Sequence, residues 1–190
     1  MNELPVIPFD SEQAWEHWLE DHHTTSQGVW VKIAKKDSGV NSVSYQEALT
    51  VALCFGWIDG QKNKFDDRYW LQKFTPRRRN SKWSKINRQK VLELIEQQRM
   101  RQAGLDEVER ARNDGRWDAA YDSQSTATVP EDFLKELQKH SEAQEFFDQL
   151  DSTNRYAILY RINSVRKPET RQKNIEKFIN MLIEKKKLYD

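Results

Sequence analysis

Between Ser44 and Gly56 the chain carries YQEALTVALCF, in which Ala48, Leu49, Val51, Ala52, Leu53, Cys54 and Phe55 leave almost no polar side. Ser44 and Glu47 have capping-box spacing, and Gly56 stands where a left-handed residue ends a helix at little cost. A helix apolar nearly all round is stable only when surrounded, so the other elements must be arranged about it. Its neighbours in sequence are suited to that. Trp57 to Lys64 and Arg68 to Thr75 read as two strands of a hairpin turning at Phe65-Asp66-Asp67. On the second, Arg68, Trp70, Gln72 and Phe74 alternate with Tyr69, Leu71 and Lys73, and upstream Val29, Val31 and Ile33 alternate with Trp30, Lys32 and Ala34.

The remaining pattern is helical. Asp10 and Gln13 have capping-box spacing ahead of Ala14, Trp15, Trp18, Leu19 and His22. Pro76 breaks the hairpin's second strand, and Ser84 is placed to cap a helix carrying Ile86, Val91, Leu92, Leu94 and Ile95. Further helices are expected from Leu105 to Asp114 with Gly115 as a stop, from Pro130 to Lys139, and from Ser141 to Leu150 with Ser141 and Gln144 as the box. Another lies around Tyr156, Leu159, Tyr160, Ile162 and Val165, and Pro168 opens the last, with Ile175, Phe178, Ile179 and Leu182 inward. The fold class is α+β: a small antiparallel β-sheet of at least three strands on a central apolar helix, followed by a mainly helical C-terminal half. The polar DSQSTATVP divides the chain into a mixed core region at 1–121, a linker at 122–130 and a helical region at 131–190, unless residues 1–190 form one domain.

Composition narrows the function classes. Lys+Arg 31 against Asp+Glu 30 gives a net charge of +1, so attraction to a polyanion has to come from a local patch. Hydrophobic content of 37% is low, but seven Trp, six Tyr and eight Phe supply large buried areas and argue for an ordered chain. Cys54 is the only cysteine, which excludes an internal disulfide, and within LTVALCFG it reads as a small core side chain. The amino terminus lacks a basic segment followed by an apolar one, and no run reaches membrane-spanning length. The expected location is the cytoplasm, without membrane insertion.

ALCFGWIDGQ, YWLQKFTPRRRNSKWSKIN, the AGL and VE segment from Ala103 to Glu109, DGRWDAAYDSQSTATVP, TNRYAILYRI and KPETR occur in this order along nearly the whole chain. Together they resemble the YdeI/OmpD-associated family, whose members are labelled bacteriocin-protection proteins. Gln102 stands where many members have proline. The resemblance implies a bacterial, soluble α+β protein linked to stress resistance. It brings no catalytic residue with it.

Three constellations could carry function. The first is the basic corner of Arg77, Arg78, Arg79, Lys82, Lys85, Arg88 and Lys90, with Trp70, Phe74 and Trp83 nearby and a helix start at Ser84. Guanidinium forks match phosphate and carboxylate, aromatic faces stack bases, and a helix start offers N–H groups to an anion. A small anionic ligand is the leading expectation and nucleic acid the alternative. The bland account is that the rings fill the core while the arginines pair with the chain's own acids. The second constellation is Asp59 with Gln61 beside Trp57, where a partly desolvated carboxylate would suit an acid or base and the chain would be an enzyme. A structural ion pair with Arg68 or Arg78 explains Asp59 as well, and no second titratable group lies adjacent. The third is the tryptophan set itself, most of it core but able to line an aromatic pocket. His17, His22, His23 and His140 lack metal-ligand spacing, and no cofactor motif is present. A binding protein is therefore expected before an enzyme.

Overall fold

The computed structural model describes residues 3–165 and 167–190. In chain order the elements are β1 (Val6–Pro8), α1 (Glu12–His22), β2 (Val29–Ala34), α2 (Tyr45–Cys54), β3 (Trp57–Lys64), β4 (Tyr69–Pro76), α3 (Lys85–Glu96), α4 (Gln102–Asn113), α5 (Glu131–Leu137), α6 (Ser141–Gln149), α7 (Ser152–Asn163) and α8 (Pro168–Ile183). They group into two units, residues up to 83 with 87–119, and residues 84–86 with 120–190.

In the first unit α2 is the buried helix its sequence requires. The Ser44 hydroxyl accepts from the Glu47 N–H, the Glu47 carboxylate accepts from the Ser44 N–H, and Ala48 to Cys54 are buried except Thr50. The sheet has the order β1-β2-β4-β3. β2, β4 and β3 form the expected antiparallel set, and β1 adds an unanticipated edge strand that runs parallel to β2 through the α1 crossover, making the sheet mixed. The hairpin's second strand starts at Tyr69 and keeps its pairing through Pro76, opposite Trp57.

Trp15 is fully buried and joins the layers. Its indole N–H donates to the Ala48 carbonyl at 3.0 Å, and its ring lies 5.0 Å from Phe9, 5.6 Å from Phe74 and 6.4 Å from Trp57. Rings at these separations and tilts add attraction beyond their area burial. Ser11 rather than Asp10 caps α1, accepting from the Ala14 N–H. Both residue types are good caps, and only the local backbone chose between them.

Helix α4 crosses the C-terminal end of α2 at glycine separation. A Cβ on Gly104 would stand 2.2 Å from the Cys54 carbonyl oxygen. One on Gly56, whose φ is +74°, would meet the Ala103 oxygen at 2.9 Å. The Arg101 N–H closes the joint by donating to the Cys54 carbonyl at 3.0 Å. On α3 the buried residues are Asn87, Val91 and Leu94, whereas Ile86, read as inward, is 53% exposed.

The second unit is helical, with a core of Phe133, Leu137, Phe147, Ile158, Ile162, Ile175, Phe178 and Leu182. Ala127 and Val129, from the segment read as a linker, pack on that core, and the Tyr156 hydroxyl donates to the Asp122 carbonyl. Ser141 is the first residue of α6 rather than its cap, and Gln144 bonds forward to Asp148. Asp151 caps α7, while Pro168 opens α8 as its fixed φ favours. Asn154, 3% exposed, ties down the C-terminal segment: its amide donates to Asp151 and the Tyr189 carbonyl, and its oxygen accepts from the Leu188 and Tyr189 N–H groups.

Candidate functional site

The residues of the basic corner part company in three dimensions. Arg77 turns inward and is only 5% exposed. Its backbone N–H donates to the Gly56 carbonyl, its guanidinium donates to the Lys82 carbonyl at 3.1 Å, and its plane lies 3.6 Å from the centre of the Trp83 ring. Trp83 is itself buried, edge-on to Trp117 at 4.9 Å. Arg116 donates to the Ser81 carbonyl and pairs with Asp114, and Arg110 pairs with Glu107. Burial pushes the Glu107 carboxyl above the usual range, against the pull of Arg110, Arg116 and Arg77. The Glu107 carboxylate is thus ion-paired to Arg110 and lies within the fields of Arg116 and Arg77. Arg78 and Arg79 are exposed on the tight turn in which the Arg78 N–H donates to Ser81 Oγ, and Lys82 is exposed beside them. Lys85 pairs with Asp122 at 2.7 Å, and its backbone N–H donates to the Tyr121 carbonyl, so that amide of the helix start is already engaged. Arg88 donates to the Trp117 carbonyl and Lys90 to the Gln46 side chain.

Trp70 lies toward the tip of the hairpin, opposite Lys64, whereas Asp59 pairs with Phe74 nearer the open end and Gln61 falls between them. Trp70 is seven residues from Arg77, which along a strand is about 23 Å. Between Asp59 and Lys62 the register of β3 slips: Asp59 faces Phe74 and Lys62 faces Gln72, so three steps on β3 match two on β4. The extra residue is a β-bulge, and it changes which side chains share a face. Regular alternation would put Lys62 and Lys64 opposite to Asp59. With the bulge, Asp59, Lys62 and Lys64 all stand on the face of Trp70, Gln72 and Phe74. The buried Gln72 amide stabilises the irregularity by donating to the Gly60 and Gln61 carbonyls at 3.0 and 3.3 Å.

On this face the α2 layer reaches Tyr45, whose hydroxyl donates to Asp59 Oδ2 at 2.9 Å and whose ring is 6.2 Å from Trp70. Burial, and then Asp59, pushes the Tyr45 phenol far above its ordinary value, so it stays a donor to the carboxylate. Asp59 is a tied-down edge residue in this arrangement. From Gly60 onward β3 is exposed, and a cavity of about 830 Å³ opens there. It is lined by Lys35, Lys36, Lys62, Lys64 and Trp70, with Phe65, Asn63, Asp66 and Asp67. The Lys62 ammonium sits 4.2 Å from the centre of the Trp70 ring. Lys35 donates to the Asp66 carbonyl, and Asp66 Oδ1 accepts from the Arg68 and Tyr69 N–H groups, which fixes the turn. Among the described residues no carboxylate is ion-paired with any of these four lysines. The cavity therefore presents four cations against the two carboxylates of Asp66 and Asp67, with an indole face beside them, and this net positive lining can hold an anion with an apolar or aromatic part.

The other candidates are structural. The His22 and His23 Nδ1 atoms are bonded to the Trp18 and Leu19 carbonyls, both at 2.8 Å. Among the described residues no group of three or more His, Cys, Asp or Glu side chains is placed to hold a metal. Cys54 is buried, and burial pushes its thiol up to about 11. Among the described residues no helix is long and apolar enough to cross a membrane.

Comparison with known proteins divides the chain much as its geometry does. Residues 7–107, just over half of it, match the model of a domain of unknown function (DUF8412), and they contain the sheet except Val6, helices α1 to α3, the start of α4 and the lysine-lined cavity. Residues 126–185 match the model described as bacteriocin-protection, YdeI or OmpD-associated. The stretches TNRYAILYRI and KPETR fall in that region, whereas ALCFGWIDGQ and YWLQKFTPRRRNSKWSKIN fall in the N-terminal match. No curated protein and no solved structure matches the chain. The chain belongs to the family of a domain of unknown function (DUF8412), whose model matches residues 7–107, and it carries a bacteriocin-protection, YdeI or OmpD-associated domain on residues 126–185.

Proposed function

We propose that this is a non-enzymatic binding protein of the cytoplasm that captures an anionic ligand or partner at the end of the β3–β4 hairpin. The observation that carries the reading is the convergence of Lys35, Lys36, Lys62 and Lys64 around Trp70 with no carboxylate ion-paired to them among the described residues. Four lysines against the carboxylates of Asp66 and Asp67 leave the lining net positive, and a cavity with excess positive charge gains when an anion enters. Ring and lysines together suit a phosphorylated or carboxylated compound with a flat apolar part. The exposed Arg78, Arg79 and Lys82 at the opposite end of the hairpin form a second, smaller cationic surface, while Arg77 and Trp83 support it from beneath. In a family described by bacteriocin protection, a cytoplasmic anion-binding protein acts indirectly, on a component of the cell rather than on a toxin outside it.

Isothermal titration of the full chain with inorganic tripolyphosphate at low salt tests the reading. Binding that is lost in a K62E/K64E variant and kept in an R78E/R79E variant is the expected result. No binding, or binding lost only in the arginine variant, overturns it.

A further inference from the structure

The face of the sheet opposite α1 and α2 carries a different chemistry. Register puts Val6, Trp30, Lys73 and then Lys32, Leu71 and Asn63 side by side on it, with Tyr69 across from Ala34. Lys73 lies 5.7 Å from the centre of Trp30, and Lys32 lies 4.2 Å from the Tyr69 ring and 4.5 Å from that of Phe65, the residue that leads round the hairpin tip into the lysine-lined cavity. No Asp or Glu stands among the strand residues of this face, and no helix takes part in its ring or ion-pair contacts among the described residues. Trp30 and Tyr69 are separated by four residues along the sheet, about 13 Å.

We infer that this open face binds single-stranded nucleic acid, with bases stacked on Trp30, Tyr69 and Phe65 and phosphates held by Lys73, Lys32 and the cavity lysines; the inference deepens the anion-binding reading and rests on it. Three rings strung along an open sheet match the way such platforms take successive bases, since every base offers a π-face. The lysines suit the exchange. Each ammonium rests on a ring through a contact that is weak when exposed, so an arriving base takes the ring while the ammonium swings to the adjoining phosphate. Charge selects the occupant: with Lys32 and Lys73 on its strands and one carboxylate, Asp10, sharing a pocket with Lys32 and Tyr69 at its edge, the face carries an excess of cations that attracts a polyanion and disfavours a basic peptide or a second copy presenting the same face. A duplex keeps its bases stacked inside and cannot use the rings.

The test measures anisotropy of a labelled oligothymidylate of about twenty nucleotides against the full chain, in parallel with a duplex of equal length and with inorganic polyphosphate. The inference expects oligothymidylate to bind more tightly than duplex. It expects W30L and Y69L, which keep an apolar cover on the sheet, each to weaken that binding by about tenfold while leaving polyphosphate affinity unchanged. Variants K32Q and K73Q, which leave the rings in place, lower affinity for oligothymidylate and steepen none of its salt dependence. Polyphosphate binding with ring variants that bind oligothymidylate as well as the parent overturns the nucleic-acid inference and leaves the anion site standing. Absence of binding to every probe overturns both.

Discussion

Replacing Gly104 by alanine sets two effects of opposite sign against each other. Helix propensity favours alanine over glycine in a helix interior by about 1 kcal/mol, so on local grounds the change stabilises α4. The packing says otherwise. The new methyl carbon would lie 2.2 Å from the Cys54 carbonyl oxygen, a backbone atom at the end of the buried α2, where ordinary contact begins near 3.4 Å. Helix α4 must therefore retreat by about 1 Å. Overpacking of this kind costs about 1–3 kcal/mol, and the retreat also strains the bond from the Arg101 N–H to the same carbonyl, worth about 1 kcal/mol. The net expectation is destabilisation of the first unit by about 1–3 kcal/mol. Tryptophan fluorescence is the right probe, because every tryptophan from Trp15 to Trp117 lies in that unit. Urea unfolding of G104A should show a midpoint lowered by about 1 M, given slopes of about 1–3 kcal/mol/M for small proteins. A midpoint above that of the parent would refute the close approach of α2 and α4.

The Asn154→Ala variant removes four hydrogen bonds, three of which hold Leu188 and Tyr189 to α7, at a cost of about 1–3 kcal/mol. Amide exchange at Leu188 and Tyr189 should accelerate, and unchanged protection there would contradict the clasp. Arg171 holds the Asp132 carboxyl below the usual range through a two-point hydrogen-bonded pair, at 2.5 and 2.9 Å. Because the folded pKa is the lower one, the pair's contribution is present above the unfolded value of about 3.9 and is lost as pH falls through the folded value. The pair is partly exposed, so D132N should lower stability by no more than about 1 kcal/mol at pH 7, with the difference from the parent shrinking below about pH 4 in calorimetry. A difference that grew on acidification would refute the sign.

The parts of the fold that were legible in the sequence are those whose local and long-range demands agree. Ser44, Glu47, Gly56 and the apolar run between them specify one helix in one environment, and the alternation of Tyr69 to Phe74 admits only a strand with two faces. Strand β1 was not legible, because Val6–Pro8 is three residues long, contains proline and is defined by its parallel partner. The site was harder still. Arg77, Arg78 and Arg79 are identical in sequence and differ only in that the first emerges from β4 toward Trp83 while the next two enter a turn. Lys35, Lys36, Lys62 and Lys64 come from two segments that only the β2–β4–β3 register brings together. Lys62 and Lys64 share the face of Trp70 because of the bulge, and the one hint of it in the sequence is Gly60 inside an otherwise regular strand.

The central claim concerns where an anion settles, and a nitrogen-15 NMR titration with inorganic tripolyphosphate tests it most directly. Shifts at the Trp70 indole and at the amides of Lys35, Lys36, Lys62 and Lys64, with little change at Trp83, are the result the account expects. Shifts confined to Arg78, Arg79 and Lys82, or none at all, would contradict it.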